Sequence, residues 1–217
     1  MVLEEQRMVN ADAKFLSRVK IGKGVYEVNA EGMHYRELNR LMRTLDKSGA
    51  ERIEIQTVYG QRYIGTDLEK KMYIDIYGTP GNDLGAFMNG PRIVVHGNAQ
   101  DCSGNTMNEG TIVIHGHAGD ITGYAMRGGK VFIRDDVGYR TGIHMKEFKT
   151  KKPHLVVGGT AQDFLGEYMA GGVLLVLGLT LRLENLTERG SWVQGCTAAS
   201  SMYAGKFLQI TWAKRSR

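Results

Sequence analysis

Six histidines, two cysteines and a scatter of carboxylates are the side chains of this 217-residue chain whose types and spacing bear on chemistry. His96 and His115 stand 19 residues apart, with His117 two further on. Imidazoles stacked in this way could bind a metal. One more step of 19 brings Arg134, however, and no carboxylate or thiol is placed to complete a coordination shell, so the histidines read as surface residues in a row. Asp101 and Asp120 would point to calcium only inside a nonapeptide GGxGxD repeat, which the chain lacks; they read as turn-capping carboxylates. Cys102 is a candidate nucleophile, but Asp83, Ile121, Arg140 and Phe164, one repeat or more away, supply no base. A small packed thiol is the reading. VVGGTAQDFLG lacks the GxGxxG spacing of a dinucleotide loop. With only Cys102 and Cys196, a disulfide framework, a four-cysteine zinc site and a protein-held iron–sulfur cluster are excluded, and a reduced, cytoplasmic setting is expected.

The spacing of 19 recurs across the middle of the chain. GNDLGAFM, QDCSGNTM, GDITGYAM, YRTGIHM and QDFLGEYM align on Gly85, Gly104, Gly123, Gly142 and Gly166, with steps of 19, 19, 19 and 24. Met88, Met107, Met126, Met145 and Met169 follow at the same steps. Before each glycine turn lies an alternating run: YIDIYG, RIVVHG, TIVIHG, KVFIRD and HLVVGG. Period-two alternation with β-branched residues predicts half-buried strands. A unit of 19 residues is too short for a helix pair or a βαβ unit. It fits one coil of a parallel β-helix, in which equivalent positions stack about 4.8 Å apart. The expected fold is therefore mainly β. The five glycines are expected in left-handed backbone at the corners, and the methionines inside. Glycine, 29 residues, is well above the usual ~7%, while proline numbers only three.

The fourth coil, VGYRTGIHMKEFKTKKPHL, keeps Gly142 and Met145 but adds Arg140, His144 and Lys146, then five extra residues. Lys149, Lys151 and Lys152 are among those expected to protrude. This is either a solvated basic loop or a docking surface, since functional insertions in solenoids collect in loops on one face. On the second reading Arg140, His144, Lys146 and Lys149 are the docking candidates.

Four segments follow: an N-terminal extension (1–24), a helix-plus-strand cap (25–71), the coils (72–179) and an atypical tail (180–217). In the cap, Leu38, Leu41, Met42 and Leu45 predict a helix over 31–48 stopped by Gly49, and ERIEIQTV predicts a strand; together they are expected to cover the first coil's open edge. The net charge of +5 lies mostly in the tail, which carries +4, leaving the body near neutral; nucleic acid is not an expected partner. No apolar run reaches the roughly 18 residues of a membrane span, and the start lacks a signal-peptide core. A polysaccharide-cleaving β-helix would need an exposed acid/base pair, and none is evident.

GNAQDCSGNTM, GHAGDITGYAMRGGKVFI, GYRTGIHMKEF and FLGEYMAGGVLLVLGL, preceded by EGMHYRELNRLMR and YGQRYIGTDL, resemble the C-terminal glycine-repeat domain of the glutamate synthase large subunit. The likeness covers roughly residues 25–179 and is closest to the stand-alone version of that domain, found where the enzyme is split into separate polypeptides. It implies a right-handed β-helix that is not catalytic alone. It also implies two partners, a glutamine amidotransferase subunit and a synthase subunit that carries FMN and an iron–sulfur cluster, with no cofactor on this chain. Absence of an N-terminal cysteine and of a flavin phosphate loop agrees. The C subunit of formylmethanofuran dehydrogenase has a similar repeat without the GYRTGIHMK coil, so a component of such a molybdenum or tungsten oxidoreductase is the alternative.

The tail departs from this pattern. Where the family would be expected to continue with a coil like GTGMHGGVIY, the chain has GSWVQGCTAASSMYAG. With a permitted choice of codons, that segment read one register away gives VMGTGMHGGVIYVRG. Residues 180–217 are therefore read as a candidate frameshift product that leaves the last coil under-capped, against a family-specific C-terminal cap as the other reading.

Overall fold

The computed structural model describes residues 17–22, 25–179 and 205–209. Ten strands follow one another in space in the order of the sequence: β1 (Val19–Gly22), β2 (Val25–Asn29), β3 (Arg52–Tyr59), β4 (Tyr73–Thr79), β5 (Asn89–Val95), β6 (Glu109–Ile114), β7 (Lys130–Ile133), β8 (His154–Val157), β9 (Gly172–Val176) and β10 (Gly205–Gln209). β1 and β2 pair antiparallel, and every later pair is parallel. Parallel pairing of neighbours in register, with one strand per repeat, is the parallel β-helix that the 19-residue period predicts.

The alternation in each strand becomes two buried rows. Ile53, Ile74, Ile93, Ile112, Val131, Leu155 and Leu174 pair successively in one, and Ile55, Ile76, Val95, Ile114, Ile133, Val157 and Val176 in the other. None of them is more than 4% exposed. Met88, Met107, Met126 and Met145 are fully buried, and Met169 packs against the same core from a half-buried position. The unbranched thioethers fill the space between the aliphatic rows and the corners. Ser103, Thr122 and Thr141 are also buried; each hydroxyl donates to the carbonyl three residues earlier, of Gln100, Gly119 and Gly138, which removes the cost of its burial.

The helix α1 spans Tyr35–Ser48, four residues shorter at its start than the apolar stripe predicts. The Met33 amide donates to the Ala30 carbonyl and Gly32 takes φ +64°, so the chain turns before the helix begins. His34 then caps it: its Nδ1 accepts from the Arg36 amide, and Glu37 accepts from the His34 amide. Gly49, at φ +87°, ends it in the left-handed cap expected. Leu38, Leu41, Met42 and Leu45 join the common core. The open edge of β3 is covered by β2 and then β1, with α1 as the crossover between β2 and β3. No helix among the described residues is long and apolar enough to cross a membrane.

Residues 180–204 and 210–217, where most of the proposed frame change would show, lie outside the described residues; 205–209 continue the parallel stack, with Gly205 opposite Gly172.

Candidate functional site

Each corner has the same backbone. Three alternate residues are left-handed, with φ between 50° and 75°: Asp83–Gly85–Phe87, Cys102–Gly104–Thr106, Ile121–Gly123–Ala125, Arg140–Gly142–His144 and Phe164–Gly166–Tyr168. The hydrogen bonds explain why. The central glycine amide donates backward, as Gly123 to Ser103 and Gly142 to Thr122. The flanking amides donate forward, as Ile121 to Tyr139, Arg140 to Asp163 and His144 to Glu167. The corner thus keeps the ladder running in both directions, and these bonds offset a cost of about 1–2 kcal/mol for each left-handed side-chain-bearing residue. Only the central position faces inward: a Cβ on Gly123 would run into Leu155, and one on Gly142 would press on Leu174 and Met145. The flanking positions tolerate side chains, and in the fourth coil they carry Arg140 and His144, both exposed.

The exposed pair is held by aromatic rings of the adjoining coils. The Arg140 guanidinium lies 5.0 Å from the centre of the Phe164 ring. His144 stacks on Tyr168 at 5.2 Å and 14°, and meets Tyr124 edge-on at 5.8 Å. Lys146 is exposed one residue after the buried Met145. Among the described residues its ammonium has no ion-pair partner. Lys149 sits at the tip of a two-residue turn closed by paired bonds between Phe148 and Lys151, with its ammonium 5.3 Å from the Phe148 ring. Arg140 and His144 therefore share one corner, while Lys146 and Lys149 follow along the exit from it. Half-exposed rings beside cations suit a partner that offers carboxylates and apolar surface together.

One of the inserted lysines folds back on the coils, and another is ion-paired while staying exposed. Lys151 is half-buried and reaches back to Asn89 and Glu109, at 3.3 Å from each. Lys152 lies 3.7 Å from Glu147, whose carboxylate also accepts the Gly172 amide. The insertion clamps its neighbours through Lys151, while its tip and Lys152 project. Tyr124, Phe164 and Tyr168 are the members of this surface that sequence reasoning missed. The 24-residue step puts Phe164 in line with Arg140 and Tyr168 with His144, but the ring contacts are visible only in the structure.

The other candidate groups are used within the fold. Asp101 and Asp120 accept the amides of Asp120 and Tyr139, so each carboxylate ties its coil to the next. Tyr77, His96 and His115 form a stacked row, and His96 lies 3.0 Å from Asp75. Among the described residues no three His, Cys, Asp or Glu side chains are grouped to hold a metal. Cys102 is half-buried; burial first, then the carboxylates of Asp83, Asp101 and Asp120, push its thiol above the ordinary cysteine range. That is the opposite of an activated nucleophile.

Comparison with known proteins agrees with this architecture. An uncharacterized protein of Methanocaldococcus jannaschii is 53% identical over 174 residues, covering 78% of this chain and 64% of the relative. The chain thus spans a little under two thirds of that relative's length. No solved structure matches it significantly. A family model described as the GXGXG motif, the glutamate synthase-type glycine repeat, matches residues 37–207, from the start of α1 into β10, so the chain belongs to the GXGXG motif family.

Proposed function

We propose that this chain is a non-catalytic scaffolding subunit of a cytoplasmic glutamate synthase complex, which converts glutamine and 2-oxoglutarate to glutamate. On this reading it holds an amidotransferase subunit and a synthase subunit in register, and the FMN and iron–sulfur cluster reside on those partners. One observation carries the proposal. The fourth corner alone among the five places a guanidinium and an imidazole, Arg140 and His144, at the flanking positions, buttressed by Phe164, Tyr124 and Tyr168 on a backbone fixed from both sides. A side chain that packing does not need, held rigid and outward, suits recognition. Membership of a glycine-repeat family linked to glutamate synthase-type proteins supports the choice of complex.

Affinity purification of the full chain from its native host tests this. The expected companions are an amidotransferase and a yellow flavoprotein, with glutamine-dependent glutamate formation in the eluate. Recovery alone, or with a molybdenum or tungsten oxidoreductase, would overturn it.

A further inference from the structure

The exposed face of α1 carries Arg36, Arg40, Arg43 and Lys47 at i, i+4, i+7 and i+11, all exposed and all in one row. They line a cleft of about 530 Å³ between the helix and an earlier corner of the same kind, Tyr63–Gly65–Asp67 at φ 62°, 75° and 59°, where Tyr35 and Tyr63 also stand. Like charges three and four residues apart work against a helix. Among the described residues no carboxylate pairs with any of the four to relieve this. Glu37, the acidic residue of the first turn, is turned to the His34 amide as part of the cap. The row is thus a concentrated positive field on an element whose apolar side is already buried in the core.

We propose that this cleft is a docking groove for an acidic segment of a partner protein, a second surface distinct from the fourth corner. The four cations are spread over a line of about 16 Å at roughly 5–6 Å intervals, the spacing of carboxylates along one face of an opposing helix. A single phosphate would engage one or two of them, because they do not converge on a point. Proteins that bind single strands pair such a cation row with open aromatic faces on which bases stack. The Tyr35 ring is instead surrounded by His34 at 4.4 Å, Tyr63 at 5.8 Å, and the guanidiniums of Arg36 and Arg62 at 5.7 and 5.9 Å. Charge complementarity therefore selects a polypeptide that bears a row of Glu or Asp.

The test titrates the full-length chain with a labelled synthetic helical peptide carrying Glu at i, i+4, i+7 and i+11. Its Gln counterpart, a single-stranded oligonucleotide of equal charge and inorganic tripolyphosphate serve as comparisons. The Glu peptide is expected to bind and to weaken steeply as salt rises, while the Gln peptide does not bind. Arg40→Gln with Arg43→Gln, which keeps good helix formers, is expected to cost tenfold or more in affinity with the far-ultraviolet circular dichroism unchanged. Arg40→Glu with Arg43→Glu should abolish binding of the Glu peptide and gain binding of a Lys-bearing one. Unchanged affinity in the Gln double variant overturns the proposal. Tighter binding of the oligonucleotide or of tripolyphosphate than of the Glu peptide overturns it as well.

Discussion

Arg140 and Phe164 lie 24 residues apart in the chain and one coil apart in the stack, with the guanidinium 5.0 Å from the ring centre. The arginine amide also donates to the carbonyl of Asp163, the residue before that ring. Backbone and side chain are therefore tied to the same neighbour, and the cation is presented with little freedom left to lose on binding.

From this follows the first prediction. On the proposed function, replacing Arg140, His144 and Lys146 together by alanine weakens assembly with the proposed partner subunits about tenfold or more, while the thermal midpoint moves only a few degrees. Co-purification yield beside a melting curve measures both. Wild-type assembly in the triple variant sinks the docking assignment.

The corners predict an asymmetry between adjacent left-handed positions. Gly123→Ala places a methyl group against Leu155, a core residue with no exposed surface, and costs about 2–5 kcal/mol. Ala125→Gly, at φ +50°, exchanges relief of the left-handed cost for a looser unfolded chain and stays within about 1 kcal/mol of wild type. Denaturant titration of the two variants checks this; equal effects would contradict the inward and outward assignment.

Cys102 is predicted to alkylate slowly at mildly alkaline pH. Burial and the nearby carboxylates raise its thiol pKa, so its neutral form persists in the folded chain where a free cysteine has begun to ionise. The stability linked to this group is fully present below the ordinary thiol pKa and is lost as pH rises through the raised value. Mass-spectrometric rates of Cys102 modification across pH give the midpoint. A midpoint below that of a free cysteine would refute the assignment.

Asp135 supplies a prediction of opposite sign. Its fork with Arg134, at 2.8 and 2.9 Å, holds its carboxyl below the ordinary range. The linked contribution is present above the ordinary aspartate pKa and fades as pH falls through the lowered value. Arg134 is exposed and Asp135 partly so, and salt should diminish it. Arg134→Gln should return the Asp135 titration, followed by carboxyl NMR, to the ordinary range.

Much of the fold is legible in the sequence because stacking makes chemistry periodic: Gly85 to Gly166 and Met88 to Met169 recur for one geometric reason each. The same logic conceals what is local. The 24-residue step aligns Phe164 with Arg140 and Tyr168 with His144, but not the ring contacts that make them, with Tyr124, one surface. Lys151 resembles Lys149 in sequence, and only the turn at Phe148 sends one back along the stack and the other outward. The α1 cations were hidden differently. Charged residues opposite an apolar stripe are what any surface helix shows, and their meaning depends on the cleft they face.

The alternating direction of the corner amides also fixes a length. Each coil is locked to the one before and the one after, so the advance per repeat, about 4.8 Å, cannot stretch without breaking bonds at every level. Four such steps separate the corner at Gly65, beside the α1 cleft, from the corner at Gly142, a distance of about 19 Å along the stack. The chain is in this sense a ruler graduated in whole coils. Evolution can lengthen or shorten the gap between the two surfaces only by inserting or removing a repeat, so it changes in whole coils.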